Sequence, residues 1–307
     1  MKKWTIVSLI VAVFAFALVG CGGNQEANTG ANNTANNTAG ANGNKADFVA
    51  EEVKADQAAI DAATKEIKDK GKLVLATSAD YPPYEWHLMK DGKDEIVGFD
   101  IEIAKAIADS LGVELEIKDL DFDGIIPSLT SGQADIAVAG LSATPERLNA
   151  VNMTSPYYQN EQVIIVPKDK AESYKTMEDF AGLTVGAQTG SLQEATIQEN
   201  FPKDVNLKSL PKLNNLVLEV KNGTADALVI SKSAGHQYAK QFPELEVLDV
   251  GIPEEPGVCV ALKKGNDGLT AYIDQELKKM IEEGKVDEWI AQYEKLSDET
   301  AGVEDAQ

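Results

Sequence analysis

A chain of 307 residues is long enough for one large domain or two smaller ones with well-buried cores. Acidic residues outnumber basic ones 50 to 28, a formal charge of -22, and such a surface repels nucleic acid and anionic lipid headgroups. Both are excluded as partners of the folded body, and the two histidines, His87 and His236, have no metal-site spacing around them. No cofactor motif is present, and a monomer is expected.

The first stretch reads as a targeting segment. Lys2 and Lys3 precede an apolar run from Ile6 to Val19, which ends in Leu18-Val19-Gly20-Cys21. That ending resembles a bacterial lipobox. It predicts a signal peptide over 1–20, removal before Cys21, and lipidation of Cys21. Residues 21–46 are almost entirely Asn, Ala, Gly and Thr, a composition that cannot bury a core and reads as a tether. The only later cysteine, Cys259, sits in an apolar run and reads as a buried thiol.

From about Asp47 to Lys70 the apolar spacing predicts a helix, stopped by Gly71. Lys72 to Thr77 is a buried strand, followed by a turn, Ser78 to Tyr84, that holds aromatics rigidly. Asp91-Gly92 marks another turn. Asp100 is expected to cap the next helix, which Gly112 ends. Val113 to Ile117 is a strand, and Asp121-Phe122-Asp123-Gly124 opens a short helix. Alternation of this kind predicts a parallel α/β sheet.

The stretch Ser131 to Arg147 then gathers a helix stop at Gly132, a strand at 136–139 and a helix start at Thr144-Pro145, with Arg147 in the first turn. A strand end, a helix N-terminus and an arginine together suit an anion such as a carboxylate. The alternative is an ordinary corner with a solvated arginine.

The second half repeats this order. Gly182 to Ala187 is a strand, and Ser191 with Glu194 forms a capping box. Asn222 to Ser231 lies on Ser131 to Gly140 without a gap, with Gly, Ala, Asp and Val coinciding, 91 residues apart. Two similar α/β lobes are expected. The apolar runs Gln162–Pro167 and Gly257–Leu262 would carry the chain across and back, making a two-strand hinge over a cleft. Two final helices, about 269–283 and 285–296, would pack on the first lobe. The division expected is 47–165 plus 257–297 for lobe one, 166–256 for lobe two, and a tail at 298–307.

The motifs Y-P-P-Y-E, F-D-G-I-I-P-S-L-x-S-G-x-A-D-I, S-A-T-P-E-R and S-P-Y-Y resemble those of the extracellular solute-binding proteins of polar amino acid ABC importers, from about Gly71 to Tyr293. The resemblance implies a periplasmic-binding-protein-like fold whose two lobes close on a ligand. It implies no enzymatic activity, delivery to a membrane permease with a cytoplasmic ATPase, and a place on the outer face of the cell membrane. By the same resemblance, Tyr81 and Phe122 sandwich the ligand side chain. Arg147 takes the α-carboxylate, with Ser142, Ala139, Gly140 and, from lobe two, Ser191. Gln188 and Leu192 beside Ser191 are further candidates.

One position departs from the family. Ser231 stands where an Asp or Glu commonly binds the α-ammonium, so Asp80, Glu85 or backbone carbonyls are left as its partners. Ser78, where binders of basic amino acids often carry Asp, speaks against a cationic ligand. Two other readings stay open: an exported dehydratase-like enzyme on the same fold, with Glu85 as its acid or base, and a ligand sensor or adhesin without transport.

Overall fold

The computed structural model describes residues 52–301. The leader, Cys21, the tether and the first residues of the expected helix at 47 lie outside them. Among the described residues no helix is long and apolar enough to cross a membrane.

The first lobe opens with α1 (Gln57–Lys70), capped by the Asp56 carboxylate on the Ala59 amide at 2.8 Å. It begins ten residues later than the apolar spacing predicts. β1 (Lys72–Thr77), β2 (Asp80–Tyr81), β3 (Glu85–Lys90) and β4 (Lys93–Val97) follow, the last two joined by the Asp91-Gly92 turn. Thus the expected rigid turn at 78–84 contains the short strand β2, part of a separate three-stranded sheet. Next come α2 (Phe99–Leu111), β5 (Glu114–Asp119), α3 (Ile125–Thr130), β6 (Ile136–Ala137), α4 (Pro145–Ala150) and β7 (Val151–Met153).

The second lobe holds β8 (Gln162–Pro167), β9 (Thr184–Gln188), α5 (Leu192–Asn200), β10 (Asn206–Leu210), α6 (Leu213–Lys221), β11 (Ala227–Ser231), α7 (Lys232–Gln241) and β12 (Leu245–Leu248). The chain returns on β13 (Ala261–Lys263) and ends with α8 (Asp267–Glu282) and α9 (Lys285–Thr300), so helix replaces the start of the expected tail.

Two five-stranded sheets result, ordered β5-β1-β6-β13-β7 and β10-β9-β11-β8-β12. They are mixed rather than wholly parallel. β5, β1 and β6 run parallel, as do β10, β9 and β11, whereas β13 in the first sheet and β8 in the second run against them. Each central strand is buried on both faces, which explains the unbroken apolar runs. Leu73 and Leu75 of β1 pack on one side and Val74 and Ala76 on the other; Val163 and Ile165 of β8 are divided from Ile164 and Val166 in the same way.

The near-repeat has a structural counterpart. Asp135 and Asp226, equivalent in the two copies, each accept the amide of the adjacent parallel strand, Val74 at 2.8 Å and Thr184 at 3.0 Å. Gly132 and Gly223 both adopt left-handed backbone conformations. Ser231 ends β11, while its counterpart Gly140 lies three residues beyond the end of β6.

The lobes are linked by segments 154–161 and 249–260. The run at 162–167 lies wholly inside the second sheet, so the outward crossing precedes it. Val258 bridges Tyr158 of the outward crossing and Ser142 of the first lobe, tying both crossings to the corner before α4.

Candidate functional site

The corner at 138–147 forms as its residue types predict. Thr144 caps α4, its hydroxyl accepting the Arg147 amide at 3.3 Å, and Pro145 occupies the first turn. This places Arg147 on the wall of the gap between the lobes, buried to 8% exposure. Its Nη1 donates to the Ser142 carbonyl at 3.0 Å and its Nη2 to the Gly190 carbonyl of the second lobe at 3.2 Å. The guanidinium lies 5.5 Å from the Phe122 ring centroid. Burial lowers its pKa to about 10. Among the described residues no carboxylate comes within ion-pair distance of it. It is also the only arginine in the chain.

Asp100 supports the same corner. It does not cap α2, which begins at Phe99 behind Gly98; its carboxylate instead accepts the Gly140 amide at 2.8 Å and the Tyr157 hydroxyl at 2.7 Å. Complete burial raises its pKa to about 6. Gly140 has a φ of 58° and packs beside the rings of Tyr81 and Tyr84, where a side chain would be strained.

The opposite wall comes from α5 and β11. Ser191 caps α5, its hydroxyl accepting the Glu194 amide at 3.1 Å. The return half of the expected capping box is shifted by one residue, since the Glu194 carboxylate accepts the Gly190 amide. Tyr81 reaches across, and its hydroxyl accepts the Ser231 amide at 3.1 Å. The Ser231 hydroxyl is buried without a hydrogen bond.

Together these residues surround a small cavity of about 20 Å³ between the lobes. Tyr81, Phe122, Ala139, Gly140, Ser142, Arg147, Ser191 and Ser231 all line it, as do Gln188 and Leu192. A broader groove open to solvent meets it along Phe122, Arg147, Ser191 and Leu192.

Ser78, Asp80 and Glu85 do not line the cleft. Asp80 is occupied between the lobes, accepting the Leu213 amide at 2.7 Å and, more weakly, Gln188 Nε2 at 3.4 Å. Ser78 turns its hydroxyl toward Asp80 at 3.4 Å. Glu85 is 1% exposed; burial, with Asp100 next in effect, raises its pKa well above the carboxylate range. An acid shut in this way is poorly placed for the enzymatic role considered for it.

Four lining residues in particular escape the sequence reading: Tyr84, Asn160, Gln193 and Glu255. Tyr84 belongs to the aromatic turn already singled out, and its hydroxyl accepts from Asn160 and Ser233. Glu255 comes from the return crossing and is 5% exposed. Burial raises its pKa to about 7, against the pull of Arg147 and the Ser142 hydroxyl.

A cleft between two α/β lobes, walled by an arginine, helix N-termini and aromatic rings, is built to enclose a small anionic or zwitterionic solute. Residues 73–295 match the family described as bacterial extracellular solute-binding proteins, family 3. The chain belongs to that family. The arginine-binding extracellular protein ArtP of Bacillus subtilis is 32% identical over 290 residues, covering 94% of this chain and 96% of that protein. Among solved structures, a substrate-binding protein of an amino acid ABC transporter from Streptococcus pneumoniae, bound to L-arginine, is 38% identical with a TM-score of 0.73, covering 76% of this chain and 98% of that one. An ancestral amino acid-binding protein, a precursor of cyclohexadienyl dehydratase, is 34% identical with a TM-score of 0.69, covering 75% and 98%. Family membership carries the two-lobed fold and solute binding with it.

Proposed function

We propose that this chain is the receptor of an ABC importer for an L-amino acid, with L-arginine the first candidate. The observation that carries this is Arg147: the only arginine of the chain, buried in the cleft, bonded to a carbonyl of each lobe and without a carboxylate in ion-pair reach among the described residues. Its planar fork is suited to an α-carboxylate in a way that a lysine is not. Ser142, the Ser191 end of α5 and the backbone at Ala139 and Gly140 complete the carboxylate end. Tyr81 and Phe122 offer ring faces on which a side chain, including a planar cation, can stack.

The named relatives and structures that bind arginine support the ligand class. Ser78 does not speak against a cationic ligand after all, because it is not on the cleft wall. In this reading a lipid on Cys21 holds a monomeric receptor at the outer face of the membrane, and a permease with a cytoplasmic ATPase takes the cargo from the closed form. Closure carries the signal, so the ligand must stabilise the closed state differentially.

The test is a thermal-shift screen of the purified protein against the twenty amino acids. A ligand at one hundred times its dissociation constant adds about 2.7 kcal/mol of stability. L-Arginine is expected to give the largest shift, and no shift with any amino acid overturns the reading. Mass analysis of the N-terminal peptide from membranes checks the lipid on Cys21.

A further inference from the structure

We propose that Glu255 is the counter-charge for the ligand α-ammonium, doing from the return crossing what an acid at position 231 does elsewhere in the family. This rests on the amino acid reading above and goes beyond it by assigning the group that Ser231 leaves unaccounted for.

Chemistry sets the first constraint. The α-ammonium and α-carboxylate share one carbon, so the acid that meets the ammonium must stand near the arginine that meets the carboxylate. Among the residues lining the cleft there is one carboxylate, Glu255, and it is on the same wall as Ser142 and Arg147. The acids that the sequence offered for this task are spent elsewhere. Asp80 is engaged by the Leu213 amide, and Glu85 lies away from the cleft beside Asp100.

The chain around Glu255 is fixed so that the side chain points inward. Gln159 Nε2 donates to the Glu255 carbonyl at 2.7 Å, and Gln162 Nε2 to the Pro253 carbonyl at 3.1 Å. Two residues on, Gly257 is so close to Pro156 that a Cβ would lie 2.4 Å from the proline Cβ. Its neighbour Glu254 is exposed, whereas Glu255 is buried. The Glu255 carboxylate has only a long contact from Gln193 Nε2, at 3.4 Å, and the Ser142 hydroxyl beside it. A buried carboxylate so weakly engaged still has acceptor capacity for an ammonium, and the unbonded Ser231 hydroxyl supplies a neutral acceptor in the same cleft.

The charge state provides a second handle. The groups facing Glu255 are Arg147 and Ser142 from lobe one, Gln193 from lobe two, and the Tyr81, Tyr84 and Tyr158 hydroxyls. Burial in the cleft raises its carboxyl pKa to about 7. An incoming ammonium favours the ionised form, so binding below that pH releases a proton.

Calorimetry on the full chain tests this with L-arginine and its des-amino analogue, 5-guanidinopentanoate, on the natural protein and on Glu255→Gln. The isosteric amide is expected to weaken L-arginine by about a hundredfold while leaving the analogue nearly unchanged. Titration near pH 6.5 in buffers of different ionisation enthalpy is expected to show proton release for the natural protein and none for Glu255→Gln. Adding Ser231→Asp to Glu255→Gln is expected to recover most of the lost affinity, which a folding defect does not allow. Equal loss of both ligands, or unchanged arginine binding, overturns the assignment; the first would mean that Glu255 only shapes the Arg147 corner. If arginine does not bind the natural protein, the same comparison is made with the amino acid that the screen identifies. If none of the twenty binds, the amino acid reading itself falls, and this inference falls with it.

Discussion

The Asp80 carboxylate of the first lobe accepts the Leu213 amide, the first of helix α6 in the second lobe, at 2.7 Å. α6 has no side-chain cap of its own, its N-cap being Lys212. The helix end is therefore satisfied by the opposite lobe, and only while the cleft is shut. Replacing Asp80 by Ala is expected to shift the protein toward an open form and to weaken ligand binding by about 1–2 kcal/mol, roughly tenfold. Small-angle scattering of the liganded protein, with calorimetry, measures both effects.

Arg147→Lys keeps the charge and loses the planar fork. Binding is expected to weaken by about 2 kcal/mol or more, and by about 3 kcal/mol or more in Arg147→Ala, with the denaturation midpoint of the unliganded protein little changed. Calorimetry beside urea denaturation separates the two. Near-natural affinity in the alanine variant would remove Arg147 from the site.

Tyr81 contributes in two separable ways. Tyr81→Phe deletes the hydroxyl that accepts the Ser231 amide and is expected to cost about 1 kcal/mol in affinity for every ligand alike. Tyr81→Ala also removes the ring, so its loss should be larger for arginine than for glycine-sized ligands. A ligand series on both variants checks this; equal losses contradict the side-chain sandwich.

Glu85 and Asp100 make stability depend on pH with a sign opposite to the usual acid. Burial raises both carboxyls, so the folded state holds protons that the unfolded chain has already lost. Stability from these groups is present below the ordinary carboxyl range, near pH 4, and is lost as pH rises through their raised folded values, about 6 for Asp100 and well above the ordinary carboxyl range for Glu85. Glu85→Gln, permanently neutral, is expected to be more stable than the natural protein at pH 8 and to converge with it near pH 4. Urea denaturation at several pH values reads the difference, and a constant offset would contradict the assignment.

Gly98 opens α2 with a φ of 139°, and a Cβ there would lie 1.9 Å from the Tyr84 carbonyl oxygen. Gly98→Ala is expected to destabilise the fold by about 3 kcal/mol or more, because backbone must move to admit the methyl group. Because Tyr84 lines the cleft, ligand affinity should fall as well. A near-natural denaturation midpoint is the contrary result.

The corner that carries Arg147 was legible in the sequence because local chemistry alone builds it. Thr144, Pro145 and Arg147 stand in the first turn of a capped helix, and no distant contact is needed to say so. The ten-residue repeat was legible for a similar reason, since Asp135 and Asp226 perform one backbone task in two places. Glu255 was not legible. It lies in Pro253-Glu254-Glu255-Pro256, a loop without periodicity, and only the passage of the chain between lobes decides which glutamate turns inward. Asp100 misled because an acid near a helix start is usually a cap; its true partner, Gly140, is forty residues away. Ser78, Asp80 and Glu85 sit near Tyr81 in sequence, but none of them lines the cleft that Tyr81 enters.

Val258 is bonded to the outward crossing at Tyr158 and to the corner before α4 at Ser142, three residues after Glu255. The segment that joins the lobes thereby also lines the cleft between them. Stiffness and selectivity cannot be adjusted independently in such a molecule: a substitution at Pro253 or Pro256 chosen to slow opening would also displace Glu255 relative to Arg147. A change of cargo achieved through this segment would carry a change of residence time with it, and a biosensor built on this scaffold would need its reporter placed away from the crossing.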